Sequence, residues 1–373
     1  MKLLFIAGDR SLAQGKRGAF YYTLEEFSRY WERIDVICPR TGQMVSTVFD
    51  NVFIHSSPWP LIFQPWFILK KGREIFKKEK FDIFGVHSYP PFYNDIGGLM
   101  LYNKIGKPYV LEVHHITGYP RAGNLKEFIY RILTKLFIKI FARNALVIRV
   151  VNKKQTPEFL IKFGVDKEKI IYTPSMYIDL GVFKFLNLEK KYDLVFAGRL
   201  TENKGIMLLL AAVGEIKIQN PNIKLIIIGD GPLKPRIENY IKEHNLQDNV
   251  FFSGWLATAE DVARVYNQSK IFVMPSFNEG GPRVNLEAMA CIVAVITTKV
   301  GLMIDIIKDG ENGLFVHWNI KDIADKIMLL LKNADLRNKI AHGGFETAKQ
   351  FERKKAIKNY AQTYQALLHS TGI

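Results

Sequence analysis

Cysteine is scarce in this chain of 373 residues, which contains only Cys38 and Cys291. Both lie in apolar, strand-like surroundings and lack the close spacing of metal ligands. The pattern therefore gives no support to a cysteine-based metal site. It makes a reducing cytosol the expected compartment.

Long hydrophobic runs are also missing. No uninterrupted apolar stretch approaches the ~18 residues that a membrane-spanning helix needs. The first residues resemble a strand followed by Gly8 and Asp9, unlike the charged start and small-residue cleavage site of a signal peptide. With 48% hydrophobic and 24% charged residues, the composition is that of a globular protein, expected in the cytoplasm. The length favours two domains.

Acidic residues are too few to balance the basic ones. The chain has 52 Lys and Arg against 36 Asp and Glu, a formal net charge of +16. Such an excess favours an acidic partner: nucleic acid, an anionic membrane surface or a phosphate-rich substrate. No helix-turn-helix, zinc or RNA-binding motif occurs, so nucleic acid is not the expected partner.

The stretch 274–290 combines turn chemistry with two carboxylates. It reads MPSFNEGGPRVNLEAMA. The apolar run before it predicts a buried strand, and the helix formers in its second half predict a helix from Val284 to Ala290. Ser, Asn, Gly and Pro between them are turn residues. The stretch is therefore a strand, a glycine loop and a helix.

Two glutamates of this stretch, Glu279 and Glu287, stand eight residues apart. If the first lies in the loop and the second in the helix, both can face one cleft at the carboxyl end of a strand, where α/β proteins bind ligands. The backbone N–H groups of Gly280 and Gly281 at the helix N-terminus favour an anion, with phosphate the obvious candidate. The alternative is a capped helix whose glutamates face water.

This stretch resembles the signature of the family 4 glycosyltransferases, the retaining class with the GT-B fold. The match consists of Glu279, Gly280, Pro282 and the run from Glu287 to Ala290. The resemblance implies that Glu279 contacts the transferred sugar and that Glu287 holds the nucleotide ribose. It also implies an α/β fold of two Rossmann-like, doubly wound domains that face each other across a cleft.

Two further motifs of the second half resemble the same family. In FAGRLTENKG, Arg199 and Lys204 match the arginine and lysine that bind the donor diphosphate. The turn Gly229-Asp230-Gly231 matches a turn near the nucleotide. Trp255, in the neighbourhood that meets the base, could stack on that base or cap the core. The chain departs from the family at Ile292-Val293-Ala294, where Gly-x-Pro is usual, which puts the loop shape and the donor identity in doubt.

The first half opens with a βαβ pattern whose loop lacks the G-x-G-x-x-G fingerprint, so a dinucleotide site is not supported. By resemblance, Gly18 in this loop approaches the donor diphosphate and the acceptor. The strand in VLEVHH resembles one that ends in a histidine contacting the donor sugar, and His114 aligns best with it. His115 and His87 also stand at strand ends and are weaker candidates.

The expected domain bounds follow from these patterns. Residues 1–186 form an acceptor-binding domain, the polar segment 187–191 a linker, and 192–350 the nucleotide-sugar-binding domain. By resemblance, residues 351–373 form a helix that crosses back to the first domain.

A cluster of aromatic and basic residues between Trp59 and Lys80 suggests contact with an anionic membrane. Pro58, Pro60 and Pro65 make it resemble a surface loop. The helix 124–143 adds a basic ridge beside an apolar face, although that face could simply pack on the sheet. The candidate membrane residues are Trp59, Phe63, Trp66, Phe67, Lys70 and Lys71.

The expected function is therefore that of a retaining glycosyltransferase of the hexosyltransferase type (EC 2.4.1.-). It would use a UDP- or GDP-linked sugar and a lipid-linked or polysaccharide acceptor at the inner face of the cell membrane. Glu279, His114, Arg199 and Lys204 are the expected catalytic residues. No Asp-x-Asp pair of metal-dependent transferases occurs, so no metal is expected. The alternative is an inactive GT-B scaffold or a nucleotide-sugar-binding protein.

Overall fold

The computed structural model describes residues 1–42 and 45–370, which form two compact units. The first unit comprises residues 1–117, 129–175 and the chain from Lys354 onward. The second comprises 118–128 and 176–353. Each is organised around its own, mostly parallel sheet.

The division between the units differs from the expected domain bounds. It falls after Ser175, and the predicted linker 187–191 lies inside the second unit. There the Lys191 N–H donates to the carbonyl of Gln268 at 2.8 Å, and Lys190 Nζ donates to the Asn267 carbonyl at 2.8 Å. This polar segment is therefore an irregular stretch anchored to the second unit. Residues 371–373 of the predicted last helix lie outside the described part of the chain.

The first unit contains an eight-stranded sheet of order β3-β4-β2-β1-β5-β6-β7-β8. All neighbouring strands are parallel except β3 and β4. Its central strands are mostly apolar because helices cover both faces of the sheet. The strands are β1 (Lys2–Ile6), β2 (Arg33–Cys38), β3 (Thr47–Val48), β4 (Val52–Ser56), β5 (Ile83–His87), β6 (Tyr109–Val113), β7 (Val147–Val150) and β8 (Ile170–Tyr172).

The helices that belong wholly or mostly to the first unit lie on the two faces of this sheet. They are α1 (Ala19–Phe27), α2 (Gln64–Glu79), α3 (Tyr93–Ile105), α4 (Leu125–Arg143), α5 (Gln155–Lys162) and the C-terminal α13 (Arg353–Ser370). Because crossovers are right-handed, α3 and α4 share one face, and α1, which connects strands in the opposite direction, lies on the other. α13 packs beside α1, where Tyr360 meets Phe27 at 4.7 Å between ring centroids.

The second unit has a six-stranded, fully parallel sheet of order β11-β10-β9-β12-β13-β14. The strands are β9 (Tyr192–Ala197), β10 (Leu225–Ile228), β11 (Val250–Gly254), β12 (Ser269–Met274), β13 (Ala294–Thr297) and β14 (Leu314–Phe315). The helices are α6 (Ile206–Gln219), α7 (Lys234–Glu243), α8 (Ala259–Asn267), α9 (Arg283–Ala290), α10 (Met303–Ile306), α11 (Ile320–Lys332) and α12 (Ala334–Ala348).

Both sheets reverse their winding direction at one point. In the second unit the chain runs from β9 outward to β11 and then returns to β12 on the other side of β9. In the first unit the same reversal falls between β1 and β5. Loops at the carboxyl ends of such neighbouring strands diverge and leave a crevice, which is where open α/β sheets bind ligands.

Candidate active site

The loops after β9 and β12 bring two predicted residues into contact. Lys204, in the short 3-10 turn Glu202–Lys204, donates from Nζ to Oε1 of Glu279. The same carboxylate oxygen accepts from Ser276 Oγ at 3.3 Å. Both charged side chains are mostly buried, with 20% and 13% of their surface exposed. The pair therefore sits in a partly desolvated position where its charges act strongly on a bound group.

One glycine permits this contact. Gly205 follows Lys204 with φ +69°, and a Cβ there would lie 2.1 Å from the Pro275 carbonyl oxygen. Any other residue would be strained and would push the two loops apart. The Phe277 N–H also donates to the Asn203 carbonyl at 2.7 Å, which joins the loops directly.

The turn after β10 supports the loop that carries Arg199. The Leu200 N–H donates to the Asp230 carbonyl at 2.9 Å. A Cβ on Gly229 would lie 2.0 Å from the carbonyl oxygen of Gly198. The Asp230 carboxylate accepts from the N–H of Gly231 at 2.8 Å. Arg199 and Asp230 are both exposed at this edge of the sheet.

The glycine loop before α9 is packed against neighbouring residues of the second unit. The Leu302 N–H donates to the Gly280 carbonyl at 2.8 Å, and Gly301 adopts φ +51° where a Cβ would lie 2.2 Å from the same oxygen. Gly281 approaches Met176, where a Cβ would lie 2.7 Å from Cγ. Pro282 is buried and immediately precedes the helix. The loop conformation is therefore held by its neighbours.

Glu287 lies in α9 and is held by an aromatic hydroxyl. Tyr266 of α8 donates from its hydroxyl to Oε2 of Glu287 at 3.2 Å. Burial raises the pKa of Glu287, and the nearby Arg283 guanidinium opposes that rise. Arg283 stands four residues before Glu287, which places both on one side of the helix. Its guanidinium also lies over the Tyr177 ring, 4.0 Å from the centroid. Sequence reasoning missed Arg283, although the i, i+4 spacing signalled it.

A second missed group is the segment 118–128, which packs on the β12 loop within the second unit. Asn278, next to Glu279, donates from Nδ2 to the Arg121 carbonyl and to the Glu127 carboxylate, both at 2.9 Å. The Arg121 guanidinium lies over the Phe277 ring, 4.4 Å from the centroid. These contacts fix the loop that carries Glu279. No local signal in the sequence could have found them, because more than 150 residues separate the Arg121 carbonyl from Asn278.

In the first unit, His114 follows β6 and Gly18 immediately precedes α1 at the carboxyl end of β1. The Nε2 of His114 is 2.9 Å from Oε2 of Glu112. His115 is exposed, whereas His87 is largely buried at the end of β5. Burial, followed by the nearby His114, lowers the pKa of His87 to about 3, so this ring stays neutral.

Ligand atoms of His87, Glu112 and His114 lie within 4.8 Å of one another, close enough to hold a metal ion. The guanidinium of Arg149, however, donates to the same carboxylate from Nη1 at 2.6 Å. A fixed, fully buried cation at that distance opposes the binding of a second cation. The donor set therefore does not favour a metal.

Trp255 is 78% exposed, so it does not cap the core. Its exposed position is compatible only with the other expectation, that a base could stack on its ring.

The stretch 59–80 is not a surface loop. It forms a 3-10 turn, Leu61–Phe63, and then α2, with Pro65 at the start of the helix, where proline is favoured. Phe67 is only 6% exposed and packs against Trp59 at 5.8 Å between ring centroids. The assignment of Phe67 to a membrane surface is therefore wrong. Trp66 is 55% exposed, and Phe63 is similarly exposed. Lys70 lies over the Trp59 ring, and Lys71 pairs with Glu74.

Helix α4 exposes its apolar side. The alternative that this face packs on the sheet is wrong, because the buried side of α4 consists of Thr134, Ile138, Phe141 and Ala142. Seven large apolar side chains of the helix are exposed, with Leu136 at 63%. They are Leu125, Phe128, Ile129, Ile132, Leu136, Phe137 and Ile140. No helix among the described residues is long and apolar enough to cross a membrane.

Comparison with known proteins finds a family match in the second unit. Residues 182–347 match the family model of glycosyl transferases group 1. This match lies within the second unit. Over 326 residues the chain is 28% identical to an uncharacterized glycosyltransferase of Methanocaldococcus jannaschii, with 86% of each chain covered. Over 264 residues it is 25% identical to the N,N'-diacetylbacillosaminyl-diphospho-undecaprenol alpha-1,3-N-acetylgalactosaminyltransferase of Campylobacter jejuni, with 66% of each covered.

Solved structures agree on the fold. The sucrose-phosphate synthase of Thermosynechococcus elongatus superposes with a TM-score of 0.85 at 20% identity, covering 99% of each chain. HepE of Anabaena in complex with UDP-glucose superposes with a TM-score of 0.78 at 18% identity, covering 98% of this chain and 100% of that one. The two Rossmann-like units are those of the GT-B fold, as predicted. The glycosyltransferase class expected from the motifs is likewise supported.

Proposed function

We propose that the protein is a retaining glycosyltransferase that moves a sugar from a nucleoside diphosphate to an acceptor hydroxyl. The contact between Lys204 and Glu279 carries this proposal. It puts a cation and a carboxylate together at the switch point of the second sheet, with Arg199 on the same loop as Lys204. A diphosphate leaving group requires positive charge there, and the sugar beside it requires a hydrogen-bond acceptor.

The proposed roles follow from the position of each group. Arg199 and Lys204 bind the diphosphate and stabilise the charge that develops on it as the glycosidic C–O bond breaks. Glu287 accepts hydrogen bonds from the ribose, and Glu279 from the sugar. The loop 280–282 presents backbone N–H groups to phosphate. In front-face attack the acceptor oxygen bonds to the sugar carbon, and its proton passes to the leaving phosphate.

A UDP- or GDP-linked hexose is the proposed donor. HepE, which shares the fold, has been solved with UDP-glucose. Gly18 and His114 are the proposed substrate contacts of the first unit, and the turn 229–231 of the second unit would approach the nucleotide. Since two basic side chains supply the positive charge, the proposal includes no resident metal.

A lipid-linked glycan is the proposed acceptor, and the first unit is proposed to attach to the cytoplasmic face of an anionic membrane. The name of the Campylobacter jejuni relative describes a diphospho-undecaprenol acceptor. The exposed apolar side of α4 adds support, because a helix surrounded only by water normally exposes its polar side. Lys135, Lys139 and Arg143 form a basic row on this helix that suits anionic headgroups.

A donor screen with a transfer assay tests the proposal. Binding of UDP or GDP should raise the melting temperature, because a ligand that binds only the native state stabilises it. Transfer from the matching sugar nucleotide to a polyprenyl-diphosphate-linked glycan should follow and survive EDTA. NMR of the product should show the anomeric configuration of the donor. Nucleotide binding with neither sugar transfer nor donor hydrolysis would favour the alternative, a nucleotide-sugar-binding scaffold. A product with inverted anomeric configuration would refute the retaining mechanism.

A further inference from the structure

A buried ion pair lies directly behind His114. Glu112 of β6 and Arg149 of β7 are neighbours in the sheet register, and both side chains are fully buried. Nη1 of Arg149 donates to Oε2 of Glu112 at 2.6 Å. A buried pair of this kind is costly to desolvate and adds little net stability compared with apolar residues of the same size. Its position beside a predicted catalytic residue therefore calls for another explanation.

The C-terminal helix completes the partners of this carboxylate. Tyr360 and Tyr364, one turn apart on α13, both donate their hydroxyls to Oε1 of Glu112, the second at 2.5 Å. The Arg149 guanidinium also lies over the Tyr360 ring, 3.6 Å from its centroid. One oxygen of Glu112 thus accepts from two tyrosines and the other from Arg149 and His114. The carboxylate is held in one orientation by groups from three elements.

The charge state of Glu112 decides which histidine nitrogen carries a proton. Burial alone would raise the pKa of Glu112, but Arg149 and the His114 hydrogen bond outweigh burial and lower it well below its usual range. An ionised carboxylate can only accept, so Nε2 of His114 must donate. In a neutral imidazole the other nitrogen, Nδ1, is then unprotonated and can accept a hydrogen bond.

We propose that Glu112 is a positioning residue for His114. It keeps Nε2 protonated and the ring in one orientation, so that Nδ1 is available to accept a hydrogen bond from a substrate hydroxyl. The neutral ring of His87 packs beside the ring of His114 and so supports this orientation. The two ring centroids are 5.0 Å apart. This inference rests on the proposed function, because it gives His114 a substrate to contact.

Two double variants isolate the acceptor atom. Glu112→Gln with Arg149→Met removes both charges but keeps one oxygen, which can accept from Nε2 when the hydroxyls of Tyr360 and Tyr364 rotate to accept from the amide NH2 group. Glu112→Met with Arg149→Met removes that oxygen and leaves the rest of the change identical. Both avoid an unpaired buried charge, which a single substitution would leave. Circular dichroism and thermal melting establish that each variant is folded.

Nitrogen-15 NMR of the histidine ring and steady-state kinetics are the measurements. The wild type and the Gln variant should show the Nε2–H tautomer of His114. The ring signals of His114 are assigned as those that disappear in His114→Gln. The Met variant should lose this preference, and its kcat for release of nucleoside diphosphate from the donor should fall on the order of tenfold or more relative to the Gln variant. The KM for the donor should change little, because the phosphate-binding residues are untouched.

The outcome separates positioning from a purely structural role. Equal kcat in the two double variants would overturn the proposal, even if both melt at lower temperature than the wild type. So would an Nδ1–H tautomer of His114 in the wild-type protein. The tautomer can be measured even if the protein shows no transferase activity. If no sugar nucleotide is turned over, the proposed function fails while the tautomer still tests the role of Glu112. If the variants cannot be purified folded, the wild-type tautomer still decides.

Discussion

Lys204 donates a hydrogen bond to Glu279, although 75 residues separate the two in the chain. The pair joins the loop after β9 to the loop after β12, and these strands are neighbours in the second sheet. A diphosphate bound by Lys204 would compete with Glu279 for the same ammonium group. Donor binding would then leave Glu279 free to accept a hydrogen bond from the sugar. This exchange would couple diphosphate binding to sugar binding in the proposed donor site.

The first prediction concerns the basic pair. Arg199→Ala or Lys204→Ala should lower kcat by ~100-fold or more while the protein stays folded, because removal of one preorganised stabilising group costs about 2–4 kcal/mol in the barrier. Lys242→Ala, which removes an exposed lysine of α7, is the matched control. Activity of both site variants within about threefold of the control would contradict the assignment of these residues to the diphosphate.

The second prediction separates the two glutamates. Glu287→Ala should weaken UDP or GDP binding about tenfold or more, because a hydrogen bond to a charged group contributes about 1.5–3 kcal/mol. Glu279→Ala should leave nucleotide affinity nearly unchanged and impair transfer. Calorimetry on both variants and on the surface control Glu238→Ala measures the difference. The opposite pattern would mean that the two roles are reversed.

The third prediction concerns pH and stability in the first unit. Burial raises the pKa of Asp95 in α3 from 3.8 to about 7. Between these values the native state holds a proton that the unfolded state has released, so this group's stabilising contribution is present at low pH and lost as the pH rises toward 7. Asp95→Asn should therefore melt at a higher temperature than the wild type at pH 8, and the gap should shrink toward pH 5.

The limit of this effect is about 1.4 kcal/mol per pH unit for one group. Asp248→Asn, at an exposed position, is the control and should follow the wild type at every pH. If the gap between Asp95→Asn and the wild type stays constant from pH 5 to pH 8, Asp95 does not take up a proton on folding.

The fourth prediction concerns the exposed side of α4. The wild type should float with vesicles that contain anionic lipid at low salt and bind less as salt rises, because salt screens the attraction of basic residues to headgroups. Leu136→Ser with Ile140→Ser should reduce flotation, since both side chains are exposed. Trp66→Ser tests the start of α2 in the same way.

Ile218→Ser removes an exposed isoleucine of α6 in the second unit and should leave flotation unchanged. If the α4 variant floats like the wild type, membrane attachment through this helix is refuted. If the wild type instead forms a dimer that the α4 substitutions dissolve, the apolar side is covered by a second copy, and a lipid surface is not its partner.

Much of the second unit could be predicted from sequence because its determinants are local. The apolar run before Glu279 and the helix formers after it predicted β12 and α9 within one or two residues. Arg199 and the turn 229–231 stand directly after strands, Lys204 follows in the same loop as Arg199, and the carboxyl ends of parallel strands meet at one edge. The order of these residues in the chain and the parallel arrangement of the strands were therefore sufficient to predict their position at this edge of the sheet.

Exposure could not be predicted in the same way. The apolar face of α4 was evident from its spacing, but spacing does not say which side of a helix meets the sheet. In the folded protein Thr134, Ile138 and Phe141 are buried, while apolar residues of similar size remain exposed. Phe67 shows the reverse: it stands among exposed aromatic residues in the sequence, yet the helix turns it inward.

The sequence by itself determined the strands, the turn glycines and the charged residues at strand ends, because each depends on neighbours within a few positions. Only the tertiary structure decided what surrounds His114. Glu112 is two residues away, but the tyrosine hydroxyls that hold its carboxylate come from 248 and 252 residues later. Nothing local in α13 distinguishes Tyr360 and Tyr364 from other amphipathic helix residues. Their role arises because folding brings the last helix against the first sheet, where a buried carboxylate requires donors.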